Sequence, residues 1–289
     1  MGLFSRRKAE PEKRAELEQL IVATFARHGA TGELVRDSDD PLNTALHTPD
    51  RQVWGFANLM LRLLDQPERT WRQVVETHVA AILAPKETVD LGTGAGRAML
   101  RARLFADDGP TVRDLAYALP WAPGIVEILC IDRPDTVQTV ADSDVAGLDV
   151  DELRAMGRRN LQAEGIDERV ELAPGIHVVS GGSLFVASRL LDPEFLDDLL
   201  RGAPRGIVVG IPDRHTLLHH AVLGPESADP ITTMASLVGH IDRDQRPGGL
   251  LSPFLYYLTR DGVQQITAYT EDGEMAITAE GAFLDAING

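Results

Sequence analysis

Cysteine is all but absent from this chain. Cys130 stands alone among 289 residues, so no internal disulfide and no multi-cysteine metal site can form. It sits within Ile125-Val126-Glu127-Ile128-Leu129-Cys130-Ile131, an apolar run that favours a buried, inert thiol. Lysine is nearly as scarce: Lys8, Lys13 and Lys86 are outnumbered by 25 arginines. Positive charge is short overall, with 28 basic against 44 acidic residues and a formal net charge of −16. A chain this acidic repels a phosphate backbone, and its one basic cluster, Arg6-Arg7-Lys8, reads as a solvated tail. Nucleic acid is therefore not an expected partner. No stretch approaches the roughly 18 apolar residues of a membrane span. Nor does an apolar segment follow the basic start, where Ala9-Glu10-Pro11-Glu12-Lys13 stands instead; a cytoplasmic location is expected.

What is present fits a soluble globular protein. Apolar residues make up 44% and charged residues 25%, and the length suits one large domain or two ordinary ones. Residues 11–28 read as a helix with Leu17, Leu20, Ile21, Phe25 and His28 on one face and Gly29 as its stop. Three short strands are expected at 33–36, 43–47 and 52–54, then helices over 55–64 and 69–83. The second of these helices carries the stripe Trp71, Val74, Val75, His78, Val79 and Ile82. Trp54, Phe56 and Trp71 belong to a core rather than to an aromatic pocket.

Pro85-Lys86 marks a boundary, and the texture then changes to short strands with Gly, Pro and Asp turns. Strands are expected at 125–131, 169–173, 176–180 and 184–186, with helices over 149–164, capped by Asp149 or Asp151, and around 193–201. Residues 206–211 and 216–223 flank the hairpin turn Pro212-Asp213-Arg214-His215, and 254–258 and 263–269 flank a second hairpin at 259–262. A helix over 228–241 and a strand at 275–278 complete the reading. Hairpins outnumber strand-helix-strand repeats, so the fold class is α+β. The expected organisation is a tail at 1–10, a helix, small sheet and helix unit over 11–85, and a larger mixed domain over 86–289.

Asp90-Leu91-Gly92-Thr93-Gly94-Ala95-Gly96 resembles the nucleotide-binding loop of S-adenosylmethionine-dependent methyltransferases, in which glycines let backbone approach the ligand. That reading would give Asp90, Gly92, Gly94 and Gly96 to the cofactor and Asp132 to its ribose. The context is poor. Only Thr88 and Val89 stand where an apolar strand should precede the loop, and Asp132 lies 42 residues beyond Asp90. Arg158-Arg159-Asn160-Leu161 resembles a methyltransferase helix but is also too distant. After a true loop, residues 97–105 should be helical. Instead Ala98, Leu100, Ala102 and Leu104 alternate with Arg97, Arg101 and Arg103, which predicts a strand with a charged outer face.

A second pattern runs through most of residues 55–223. Asn58-Leu59 and the helix through Val74, Val75 and Val79 come first. Ile131-Asp132 then leads to a helix ending Arg159-Asn160-Leu161. Val186-Ala187-Ser188-Arg189-Leu190-Leu191 follows, then Val208-Val209-Gly210-Ile211-Pro212-Asp213-Arg214 and Leu217-Leu218. In order and approximate spacing these blocks resemble the YtpQ-like bacterial family, a domain of unknown function. The resemblance implies no catalytic residue, cofactor or substrate, and no need for a glycine-rich loop at 88–105.

Other polar groups sharpen the choice. Ser188-Arg189 and Asp213-Arg214 each follow apolar residues, where the end of a sheet can present them to a ligand or partner. An arginine so placed grips a carboxylate or phosphate through two N–H groups; in the competing reading Arg189 and Asp213 pair to lock a turn. His215, His219 and His220 do not suit a shared metal ion, because neighbours on a strand point to opposite faces, and His240 has no acidic partner at ligand spacing. Ser180-Gly181-Gly182-Ser183 reads as a turn, since no lysine or helix-forming run follows it. Two functions stay open: a non-enzymatic protein binding an unknown protein or small molecule, without cofactor or metal, or a methyltransferase using S-adenosylmethionine.

Overall fold

A computed structural model describes residues 11–36, 44–49, 53–64, 66–84, 88–107, 112, 115–133, 136–243 and 251–289. The tail expected at 1–10 and the boundary pair Pro85-Lys86 lie outside them. The chain divides into two compact units between Glu87 and Thr88. The fold is α+β, with antiparallel sheets throughout.

In the first unit, helix α1 (Pro11–Arg27) is followed by a meander of β1 (Glu33–Arg36), β2 (Thr44–His47) and β3 (Val53–Gly55), then by α2 (Ala57–Leu64) and α3 (Glu68–Leu83). The helical spacing does what the sequence predicts: Leu17, Ile21 and Phe25 of α1 meet Trp71, Val75 and Val79 of α3 in one core with Phe56 and Met60. The Trp71 indole donates to the Leu63 carbonyl at 2.8 Å, which satisfies its buried polar end. His28 lies in the turn after α1 and reaches Glu76 of α3 at 2.6 Å, beside Arg27 at 2.7 Å.

The second unit starts with a single short turn of helix, α4 (Gly94–Ala98), and β4 (Leu100–Ala106). It continues with β5 (Leu119–Ala122), β6 (Ile125–Asp132), β7 (Val137–Thr139), α5 (Asp142–Val145) and α6 (Val150–Asn160). Asp149 caps α6, accepting from the amides of Asp151 and Glu152 at 3.0 Å each. Then come β8 (Glu168–Ala173), β9 (Ile176–Ser180), a 3-10 turn at Ala187–Leu191, α7 (Pro193–Arg201), β10 (Ile207–Asp213) and β11 (Thr216–Ala221). The chain ends with α8 (Ala228–Arg243), β12 (Leu255–Leu258), β13 (Val263–Gln265), β14 (Thr267–Tyr269), β15 (Met275–Ile277) and α9 (Gly281–Asn288). The expected strand at 184–186 is instead a turn leading into the 3-10 segment, where buried Phe185 and Val186 anchor a loop.

Two sheets organise this unit. β4, β6 and β5 form one antiparallel sheet, with β7 added to β6; β13, β12, β10, β11, β9 and β8 form the other, in that order. The central strand β10 is buried along its whole length. Its residues alternate as a pleat requires: Ile207, Val209 and Ile211 join the core shared with β4, β6 and α6, while Val208 joins the core under α8 and α9. Helix α6 lies hard against β4, where a Cβ on Gly157 would come within 2.8 Å of the Ala102 amide nitrogen. Strand β8 closes one end of the larger sheet, and among the described residues β9 is its sole strand partner.

Candidate functional site

The amides of Gly92, Thr93 and Gly96 in the glycine loop are bonded within the loop itself. The Gly92 amide donates to Asp90 Oδ1 at 2.8 Å, and the Thr93 amide and hydroxyl both donate to the Asp90 carbonyl, at 3.1 and 2.8 Å. The Gly96 amide donates to Thr93 Oγ1 at 3.1 Å, so Thr93 is the N-cap of α4. Gly96 is glycine for a local reason: a Cβ there would sit 2.1 Å from the Asp90 carbonyl oxygen. Nothing lies within 4 Å of the corresponding point on Gly94. After one turn the chain enters β4, antiparallel to the strand that ends in Asp132. Nucleotide loops instead aim free amides of a long helix at the phosphate or ribose. The residues present do not fit that use, and no chemistry is derived through adenosylmethionine.

Asp132 belongs to a structural set. Its amide donates to the Met99 carbonyl at 2.9 Å, and its carboxylate stands 3.9 Å from Arg101. Burial, together with the charge of Glu164, raises its carboxyl above the ordinary aspartate value. The Arg158-Arg159-Asn160 segment is likewise a seam. Arg158 grips buried Glu127 through two N–H groups, the Nε contact measuring 2.9 Å. Asn160 donates to the carbonyls of Arg97 and Leu100 at 2.9 and 2.8 Å.

The four other candidate residues separate on inspection. Ser188 is buried and its hydroxyl accepts from the Leu104 amide at 3.0 Å, tying the 3-10 turn to β4. Arg189 donates to the carbonyls of Leu161 and Glu164 at 2.8 and 3.0 Å, closing the end of the helix before them. Its carboxylate partner is Asp192 at 3.0 Å and not Asp213, so the expected turn lock is replaced by an i,i+3 pair. An open groove of about 530 Å³ passes Arg189, and its cations are compensated: Arg169 and Arg201 each have Asp198, at 3.9 and 3.3 Å. A second cleft, of about 500 Å³, has Arg154 held by Asp151 and by the Tyr117 carbonyl.

Asp213 and Arg214 lie together in the β10–β11 turn. Asp213 accepts from the His215 amide at 2.8 Å and the Thr216 hydroxyl at 3.3 Å, which shapes the turn. His215 Nδ1 is 3.0 Å from the Ser183 carbonyl. A carbonyl can only accept, so Nδ1 carries the proton and Nε2 is left to accept from Arg214 Nε at 3.3 Å. Burial and the neighbouring Arg214 charge hold His215 below the ordinary histidine value, in keeping with the neutral ring. Arg214 Nη2 is buried with no hydrogen-bond partner.

A residue outside the expected set also carries an unbonded buried donor. Arg103 of β4 is 8% exposed, and its Nε is also buried without a partner. Its guanidinium lies 4.8 Å from the centroid of the Phe105 ring and 6.0 Å from that of Phe185. The expected charged outer face of 97–105 is thus corrected in two ways: Arg97 and Ala98 are helical, and Arg103 is covered. The signal was available in β6, whose nearly unbroken apolar run requires both faces of its sheet to be buried. Burial, the Arg103 charge and, in the opposite sense, Asp213 set the Arg214 value, which is pushed down to about 10.

The histidines do not converge. His219 stacks on His177 with ring centroids 5.2 Å apart, whereas His220 Nδ1 lies 2.8 Å from the Gly175 carbonyl. Among the described residues no group of three His, Cys, Asp or Glu side chains is arranged to hold a metal ion, and no helix is long and apolar enough to cross a membrane. Comparison with protein-family models, with curated proteins and with solved structures finds no match to this chain.

Proposed function

We propose that this chain is a non-enzymatic binding protein that holds an anionic group of its ligand or partner at the β10–β11 turn. One observation carries the reading: Arg103 is buried and Arg214 half-buried, and each keeps one buried guanidinium nitrogen, Nε and Nη2 respectively, without a hydrogen bond. Leaving a charged donor buried and unbonded is unfavourable, and an anionic group of a ligand would satisfy it. Elsewhere in the unit, buried Arg154 and half-buried Arg158 both face the buried carboxylate of Glu127. The segment that resembles the YtpQ-like family includes Arg214, which is consistent with a binding role at this turn. A cytoplasmic setting suits a protein whose one thiol, Cys130, is buried and unpaired.

The test is thermal unfolding in the presence of a panel of small anions and neutral metabolites, for the wild type and Arg214→Gln. Stabilisation by an anion that is lost in Arg214→Gln supports the reading. Stabilisation that survives the substitution overturns it, as does a panel with no effective anion. The methyltransferase alternative draws no support from the geometry, because the loop amides of Gly92, Thr93 and Gly96 are already bonded within the loop. Calorimetric titration with S-adenosylmethionine is expected to give no heat of binding.

A further inference from the structure

One row of side chains crosses the larger sheet from its core to its edge. Val209 of β10 pairs with His219 of β11, His219 with His177 of β9, and His177 with Glu171 of β8. Directly paired residues of antiparallel strands project on the same face, with Cβ atoms about 4.5–5.5 Å apart. Val209 is fully buried, His219 half-buried, and His177 and Glu171 exposed. Two imidazoles therefore stand side by side where this face of the sheet emerges from the core.

Both rings are uncommitted. They stack with centroids 5.2 Å apart and planes 20° from parallel, and among the described residues neither makes a hydrogen bond. His215 and His220 differ, since each has Nδ1 at a carbonyl, that of Ser183 at 3.0 Å and that of Gly175 at 2.8 Å. Burial first, then the charges of His177, Arg169 and His220, favour the neutral form of the His219 ring. A neutral imidazole is the form that ligates a metal.

The spacing suits a shared ion of one geometry. Zinc binds imidazole nitrogen at about 2.0–2.1 Å, in tetrahedral sites. Adding roughly 1.1 Å from nitrogen to ring centre, a tetrahedral ion sets two imidazole centroids about 5.2 Å apart. Square-planar coordination, which copper(II) prefers, would set them at about 4.5 Å. The nitrogens reach such an ion by rotation about the Cβ–Cγ bonds, a soft torsion in histidine that leaves the ring centres nearly in place. Arg169 opposes a cation here, but it is drawn to Asp198 at 3.9 Å and leans on the Phe195 ring at 5.0 Å. On the other side of His177, Glu171 supplies negative charge, held in place by the Gly175 amide at 2.8 Å.

We propose that His177 and His219 form a two-histidine site for one zinc ion, with water completing the coordination. The site is separate from the β10–β11 turn and does not rest on the anion reading.

The experiment uses the full chain, stripped of metal by chelator and dialysed into a non-coordinating buffer at neutral pH. Zinc chloride is titrated by calorimetry, with magnesium chloride as control. Zinc is expected to bind with one ion per chain and magnesium to give no heat, because imidazole suits zinc and magnesium takes oxygen ligands. His177→Gln and His219→Gln should each weaken zinc binding by about tenfold or more, since even an outer-shell partner of a metal ligand is worth that much. His177 is exposed, so without zinc His177→Gln should melt at the wild-type temperature, which separates a lost ligand from a lost fold. In nitrogen-15 spectra of the histidine rings, zinc should shift His177 and His219 and leave the remaining imidazoles in place. The proposal falls if zinc fails to bind the wild type or binds either variant unchanged. It falls equally if other histidines shift instead, which would mean an adventitious ion only.

Discussion

Substituting alanine at two glycines only two residues apart should move stability in opposite directions. At Gly96 a methyl group would stand 2.1 Å from the Asp90 carbonyl oxygen, 2.8 Å from its carbon and 3.0 Å from Val89 Cγ1. The obstacle is backbone, so relief requires the turn to open rather than a side chain to rotate. Overpacking of this kind costs about 1–3 kcal/mol, and opening the turn also weakens the Thr93 cap on the Gly96 amide, worth about 1 kcal/mol. Gly96→Ala should therefore destabilise the second unit by about 2–4 kcal/mol. At Gly94 nothing lies within 4 Å of the new methyl and the residue is already helical, so Gly94→Ala should gain a few tenths to about 1 kcal/mol. The chain has two compact units, so a single unfolding midpoint is a poor measure. Hydrogen exchange of the β4 amides, followed by mass spectrometry of peptides spanning residues 100–106, reports the unit concerned. Faster exchange in Gly96→Ala and unchanged or slower exchange in Gly94→Ala is the expected pattern. Equal losses in both variants, or no loss at Gly96, would refute the argument that the loop needs glycine for its own packing.

Three further outcomes are expected. Glu127→Gln leaves Arg158 and Arg154 facing a neutral amide in the core and should lower unfolding stability by about 3 kcal/mol in urea; a change under 1 kcal/mol would mean that the ion pairs contribute little. His219 is pushed down to about 4 from an ordinary 6.5, by burial first and then by His177, Arg169 and His220. Because the fold favours its neutral ring, stability is complete above about pH 6.5 and falls as the pH drops towards 4, by up to about 3 kcal/mol. His219→Gln should flatten that part of the pH profile, and an unchanged profile would count against the assignment. Gly157→Ala should push α6 away from β4 and destabilise by about 1–3 kcal/mol, measured by thermal unfolding, since the new methyl would meet the Ala102 amide nitrogen at 2.8 Å.

Periodicity made much of the fold legible. The stripes of α1 and α3, the apolar run of β6, the Asp149 cap and the Asp213-Arg214 turn all follow from local chemistry, and each is present. Short elements whose residues carry no clear period, such as β5, β7 and α5, were not legible. Nor was α9, whose Phe283 is buried by tertiary packing and whose first turn is held by the Gln264 side chain, 2.9 Å from the Glu280 carbonyl. Leu184–Val186 misled because three apolar residues suit a buried loop as well as a strand. At the candidate site, Ser188, Arg189, Asp213 and Arg214 were visible as polar groups at the ends of apolar runs. Which of them already had partners was not, because Asp192, Leu161 and Glu164 reach Arg189 only through the folded chain. Arg103 was hidden by an alternation that looked solvated.

The outer edge of β8 bears on how this protein stays dispersed. Val170 and Leu172 are 39% and 43% exposed on a strand whose far side, among the described residues, has unused ladder positions, an invitation to any extended peptide. Glu168, Arg169 and Glu171 interrupt that invitation, because a newcomer pairing there would have to desolvate three charges. Arg169, which leans on the Phe195 ring at 5.0 Å, therefore also acts as a gatekeeper against fibril-like stacking. Neutralising these three side chains would leave the fold intact and its colloidal behaviour altered.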